Sequence, residues 1–127
     1  MFERVEGLFR ELAPAVDHCA IRIEHRREER LCVERDVAQA PRNLDSMGAM
    51  VTIRHKGGLG YAATSDLSRA GIAHAIESAR AWAEAASGKM VPGFAEPATK
   101  PVTANWKGPE RKPWAALSHG QKMDRLM

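Results

Sequence analysis

The segment that most constrains this chain runs from Leu67 to Ala86, where Leu67, Ile72, Ala75, Ile76, Ala79, Trp82, Ala83 and Ala86 recur at helical spacing. That stripe predicts a long amphipathic helix, with Thr64-Ser65-Asp66 offering an N-cap and Ser87-Gly88 a stop. A helix apolar along one face needs another layer to bury it. Two stretches of period-two alternation supply candidates. Cys19, Ile21 and Ile23 alternate with Ala20, Arg22 and Glu24, and Leu31, Val33 and Val37 continue on odd positions after the charged run from Glu24 to Arg30. Further on, Val51, Ile53, Tyr61 and Ala63 also fall on odd positions.

We read the first stretch as two antiparallel strands joined by the charged turn, with Ile23 opposite Leu31 and Ile21 opposite Val33 so that the apolar residues share one face. The second stretch reads as a hairpin around a Lys56-Gly57-Gly58 loop. Phe2, Val5, Phe9 and Leu12 predict a first helix that Pro14 ends. The expected fold is therefore α+β: a four-stranded antiparallel meander with both helices on its odd-numbered face. Its other face carries Arg22, Glu24, Arg30, Cys32, Glu34, Met50, Thr52, Gly60 and Ala62. The small or apolar end of that face, Met50, Thr52, Gly60 and Ala62, is a candidate interaction surface.

This α-β-β-β-β-α domain is expected over residues 1–89. A proline-rich extended segment follows over 90–117, holding five of the chain's seven prolines together with Phe94, Val102, Trp106 and Trp114. Rings in such a segment imply that it runs along a protein surface, and Trp106 and Trp114 join the candidate interaction surface. Residues 118–127 open a third helix, because Ser118 and Gln121 form the Ser-x-x-Gln capping box. Only nine residues follow that cap, which predicts a helix cut short and a chain that is the front of a longer protein.

Composition sets limits on function. Of 127 residues, 44% are hydrophobic and 28% charged, as in an ordinary soluble domain. No stretch approaches the length of a membrane span, the amino terminus is charged rather than leader-like, and a cytoplasmic setting is the expectation. The net charge is +3, but acidic and basic residues alternate. The run Glu24-His25-Arg26-Arg27-Glu28-Glu29-Arg30 mixes both signs, which argues against a nucleic-acid surface.

The residue types that usually carry chemistry are not grouped for it. None of the five histidines, His18, His25, His55, His74 and His119, precedes a glutamate, so no metalloprotease helix motif exists. Cys19 falls on the core face and Cys32 between Leu31 and Val33, on the opposite face, which predicts free thiols with structural roles. Gly57-Gly58-Leu59-Gly60 lacks the Lys-Ser/Thr pair and the helix start of a phosphate loop, and reads as a hairpin turn. No catalytic and no metal-binding residue is assigned.

Taken as a whole, the string Gly57-Gly58-Leu59-Gly60-Tyr61-Ala62-Ala63-Thr64-Ser65-Asp66-Leu67-Ser68, leading into a helix with the Ala75-x-x-x-Ala79 spacing, resembles the amino-terminal domain of the TldD/PmbA family. The likeness extends to the first helix, the Gly48-to-Arg54 strand, the proline-rich stretch with Trp106 and the Ser118-x-x-x-Lys122 helix opening. That family, also described as modulators of DNA gyrase, comprises metal-dependent peptidases and their partner subunits. The resemblance implies zinc bound at a His-Glu-x-x-x-His site in the full-length protein, beyond the residues matched here. It further implies a non-catalytic front domain that serves assembly and substrate enclosure. The implied partners are the carboxy-terminal domain of the same protein, a homo- or heterodimer partner and unfolded peptide, with no membrane or nucleic acid. The alternatives are a metal-free partner subunit, or a stand-alone protein- or nucleic-acid-binding module using the sheet face or the basic residues Lys100, Lys107, Arg111 and Lys112.

Overall fold

The computed structural model describes residues 1–90 and 102–127. In chain order the elements are α1 (Phe2–Leu12), β1 (His18–Arg30), β2 (Val33–Glu34), β3 (Val37–Ala38), β4 (Arg42–His55), β5 (Gly58–Thr64), α2 (Arg69–Ala86), a 3-10 turn (Trp114–Ala116) and α3 (His119–Met123). The fold is α+β, with a three-stranded antiparallel sheet in the order β1-β4-β5 and a separate two-stranded ribbon of β2 and β3. Among the described residues no helix is long and apolar enough to cross a membrane. The chain divides into two compact units, Met1–Arg26 with Asp45–Ala95 and Arg27–Leu44 with Glu96–Met127.

In the first unit the sequence periodicities translate directly into burial. Val5 of α1, Ala49, Val51 and Ile53 of β4, and Ile72, Ala75, Ile76, Ala79 and Ala83 of α2 form the core, with Cys19, Ile21 and Ile23 of β1 packed against it. Burying the fully covered side chains of Val51, Ile53 and Ile72 contributes roughly 1.5–3 kcal/mol each relative to exposure. The cap of α2 lies later than the sequence reading placed it. Ser68 is the N-cap, its Oγ accepting from the Gly71 amide at 3.2 Å. Thr64 and Asp66 instead shape the approach: the Asp66 amide donates to Thr64 Oγ1 and the Ser68 amide to Asp66 Oδ1. Those bonds from Ser68 hold the Asp66 carboxyl below its ordinary pKa.

The four-stranded meander is corrected at its first hairpin. β1 does not turn within Glu24–Arg30 but continues through it as strand, and it neighbours β4 rather than residues 31–37. Ile21 and Ile23 therefore do not face Val33 and Leu31; Val33 pairs with Ala38 and Glu34 with Val37. The reversal occurs at Arg35-Asp36, both with positive φ, where neither glycine nor asparagine marks it. Mixed charge does not forbid a strand when polar partners lie across from it: His25 Nε2 meets Asp45 Oδ1 of β4 at 2.7 Å.

The second hairpin is corrected by one residue, with larger consequences. His55 pairs with Gly58, so the loop is Lys56-Gly57 alone, with φ of 51° and 76°. This is the two-residue, left-handed turn that matches strand twist. Shortening the loop by one residue reverses the faces of β5, and Val51 pairs with Ala62 and Ile53 with Gly60. Two further contacts hold the turn: the Lys56 amide donates to Asp17 Oδ2 at 2.8 Å, and Ser87 Oγ donates to the Lys56 carbonyl at 2.6 Å.

In the second unit, α3 begins at the expected Ser118 capping box, with Ser118 Oγ accepting from the Gln121 amide and Gln121 Oε1 accepting from the Ser118 amide. The helix closes at Met123, and the Leu126 and Met127 amides bond back to the Met123 carbonyl. Residues 91–101 of the expected proline-rich segment, including Phe94 and Lys100, lie outside the described residues; residues 102–113 hold no regular element.

Candidate interaction surface

The structure sorts the six candidate surface residues into three places. Met50 and Thr52 lie on the face of β4 away from the helices, beside Ala63 and Tyr61 of β5. Met50 and Ala63, with Arg22, Glu24, Gly48, Ala49, Thr64 and Ser65, line an open recess of about 320 Å³. Gly60 and Ala62 belong to the other face, beneath α2. A Cβ on Gly60 would collide with the Ala79 carbonyl and the Ala83 amide, and one on Gly58 with the Ala83 carbonyl. They are packing residues, and the odd-numbered Leu59, Tyr61 and Ala63 occupy the outer face in their stead. Tyr61, 66% exposed, is the surface residue that the three-residue loop concealed.

Trp106 and Trp114 belong to the second unit. The burial expected of the proline-rich segment is not met by Val102 or Trp106, which are 80% and 86% exposed. Trp114 is anchored instead of exposed at random: its Nε1 donates to Glu29 Oε2 at 2.7 Å, the same oxygen that accepts from Lys122 Nζ at 2.6 Å. Lys122 Nζ also stands 4.8 Å from the centre of the Trp114 ring, within cation–π range. Lys122 is buried, and α3 delivers it from the residue after Gln121 of the capping box. The bonds from Lys122 and then Trp114 hold the Glu29 carboxyl below its ordinary pKa. No sequence signal joined Glu29 to residues 85 and 93 positions later.

Neither thiol nor histidine forms a reactive cluster. Cys19 and Cys32 are free, and burial raises the Cys19 pKa, which disfavours thiolate. The Cys32 position is corrected from sheet face to the connection between β1 and β2, where it is exposed. His25 has its Asp45 partner, His74 and His119 are exposed on helices, and His55 Nδ1 is enclosed with no hydrogen-bond partner. Zinc needs three or more converging donors, and no such group of His, Cys, Asp or Glu exists among the described residues. The described residues do not fit the metal.

With this geometry in hand, comparison with known families is decisive. The family model described as PmbA/TldA metallopeptidase domain 1 matches residues 19–83, just over half of the chain. The chain belongs to the PmbA/TldA family. The matched span begins at the second residue of β1 and ends inside α2, so it takes in all of the three-stranded sheet but His18, together with the glycine contacts that seat the helix. No curated protein matches the chain.

Proposed function

We propose that this chain is the amino-terminal, non-catalytic domain of a PmbA/TldA-type metallopeptidase acting in proteolysis or peptide maturation. In this reading it serves assembly and substrate enclosure. The observation that carries the proposal is the domain 1 match over residues 19–83. The architecture suits a scaffold: α2 is fixed to β5 by backbone contact at Gly58 and Gly60, while the outer sheet face keeps Met50 and Tyr61 exposed. The proposed partners are the carboxy-terminal domain that follows in the family, a second subunit and unfolded peptide. Zinc is assigned to that carboxy-terminal part, and the setting is cytoplasmic.

The test is peptide hydrolysis by the purified 127-residue chain on unfolded casein, with and without added zinc. No cleavage is expected in either case. Zinc-dependent cleavage abolished by a chelator would overturn the non-catalytic reading.

A further inference from the structure

Many of the charged side chains on this surface are matched in pairs: Arg10 with Glu6, Arg22 with Glu24, Arg69 with Glu11 and Arg80 with Glu84. An open recess of about 300 Å³ in the second unit departs from that pattern. It is lined by Arg30, Cys32, Glu34, Gln39, Ala40 and Arg42. Although they share this recess, Arg30, Glu34 and Arg42 make no ion pair and no side-chain hydrogen bond among the described residues.

The topology explains why these groups meet. Arg30 closes β1 and Arg42 opens β4, and the two strands are antiparallel neighbours. The chain between them folds into the β2–β3 ribbon, which carries Glu34 and is closed by the Gln39 amide donating to the Cys32 carbonyl at 2.9 Å. Gln39 Nε2 donates to the Val37 carbonyl at 3.2 Å, which leaves its Oε1 as a further acceptor. Exposed opposite charges gain only about 0–1 kcal/mol by pairing, so holding them apart costs the fold little. Kept separate, they leave room between them for a third molecule.

We propose that this recess binds a small molecule carrying two carboxylates and one ammonium, the charge pattern of an acidic amino acid. Each guanidinium presents a planar fork of donors that a carboxylate accepts two at a time. Glu34 supplies the complementary acceptor for the ammonium. The same carboxylate sets the specificity, because it repels phosphate, sulfate and plain dicarboxylates, which offer oxygens to the arginines but no donor to Glu34. The size agrees: ligand pockets run from about 300 to 1,000 Å³, and this recess stands at the lower limit, where an extended peptide does not fit. The inference concerns the second unit alone and is independent of the enclosure role proposed above.

Cys32, an exposed thiol in the wall of the recess, reports occupancy directly. The whole chain is alkylated with iodoacetamide at rising concentrations of L-glutamate, and peptide mass spectrometry follows Cys32 and Cys19 separately. Saturable slowing at Cys32 is expected in the millimolar range, with Cys19 unaffected. N-acetylglutamate, which lacks the ammonium, and inorganic phosphate should each protect about tenfold more weakly. Arg30→Gln and Arg42→Gln, both at exposed positions, should each weaken protection by glutamate about tenfold, while Glu34→Gln should erase the preference for glutamate over N-acetylglutamate. Four results would each overturn the proposal: no protection of Cys32 by glutamate, equal protection by lysine or by potassium chloride at matched ionic strength, equal protection by phosphate, or unchanged protection when both arginines are replaced by glutamine.

Discussion

Two regions of this chain are held by opposite physics. Where β5 meets α2, Gly58 and Gly60 let helix backbone rest on strand backbone, and alanines close the gap. Where β1 runs out to Arg30, the anchoring is polar, with one Glu29 oxygen receiving both the Trp114 indole and the Lys122 ammonium. The first arrangement tolerates no added volume but is indifferent to pH and salt. The second depends on charge.

The comparison breaks most sharply at Gly60. Gly60→Val places a branched side chain into the Ala79 carbonyl and should cost about 3 kcal/mol, the upper end for overpacking. Glu24→Val on exposed β1 introduces the same residue and should change stability by less than about 0.5 kcal/mol. Urea denaturation of the two variants measures the contrast.

On the polar side, Lys122→Met removes the ammonium and leaves the Glu29 carboxylate with the indole alone. We expect a red shift of Trp114 emission and faster proteolysis within residues 114–127, with the unfolding midpoint of the first unit unmoved. The same clasp is pH-sensitive. Glu29 has a folded pKa below its unfolded value, so its contribution is complete above the ordinary glutamate pKa and is lost as pH falls through the depressed one. Trp114 emission should follow that loss in acid, and Glu29→Gln, which keeps an acceptor but not the titration, should flatten it.

Two smaller changes sharpen the picture on the apolar side. Ser68→Ala removes the α2 cap and should cost about 1 kcal/mol by urea denaturation. Lys56→Asn relieves a left-handed residue in the β4–β5 turn and should stabilise by about 0.5 kcal/mol, since asparagine tolerates positive φ better than lysine.

Local patterns made much of this fold legible. The core positions of α2, the helix ending before Pro14 and the Ser118 capping box each follow from residues within a few positions of one another, although Trp82 of the α2 stripe stands 66% exposed and the cap falls at Ser68. What escaped was settled at longer range or by a single residue. The charged run of β1 looked like a turn because its partners, Asp45, Trp114 and Lys122, are remote in sequence. The true turn at Arg35-Asp36 carries no glycine to announce it. At the second hairpin a lone Lys56-Gly57 pair suffices for a left-handed two-residue turn, but the glycine at 58 lets the same string read as a three-residue loop. That one residue exchanged Gly60 and Ala62 for Tyr61 on the candidate surface. The family resemblance is independent of strand parity, because it rests on the order of the elements and the glycine string.

Which face of β5 lies under α2 can be read from proton–proton contacts by NMR. Contacts are expected from the Gly60 α-protons to Ala79 and Ala83, with none from the Tyr61 ring to either alanine. Contacts from the Tyr61 ring to Ala79 or Ala83, with Gly60 facing solvent, would restore the three-residue loop and contradict the seating of α2 on Gly60.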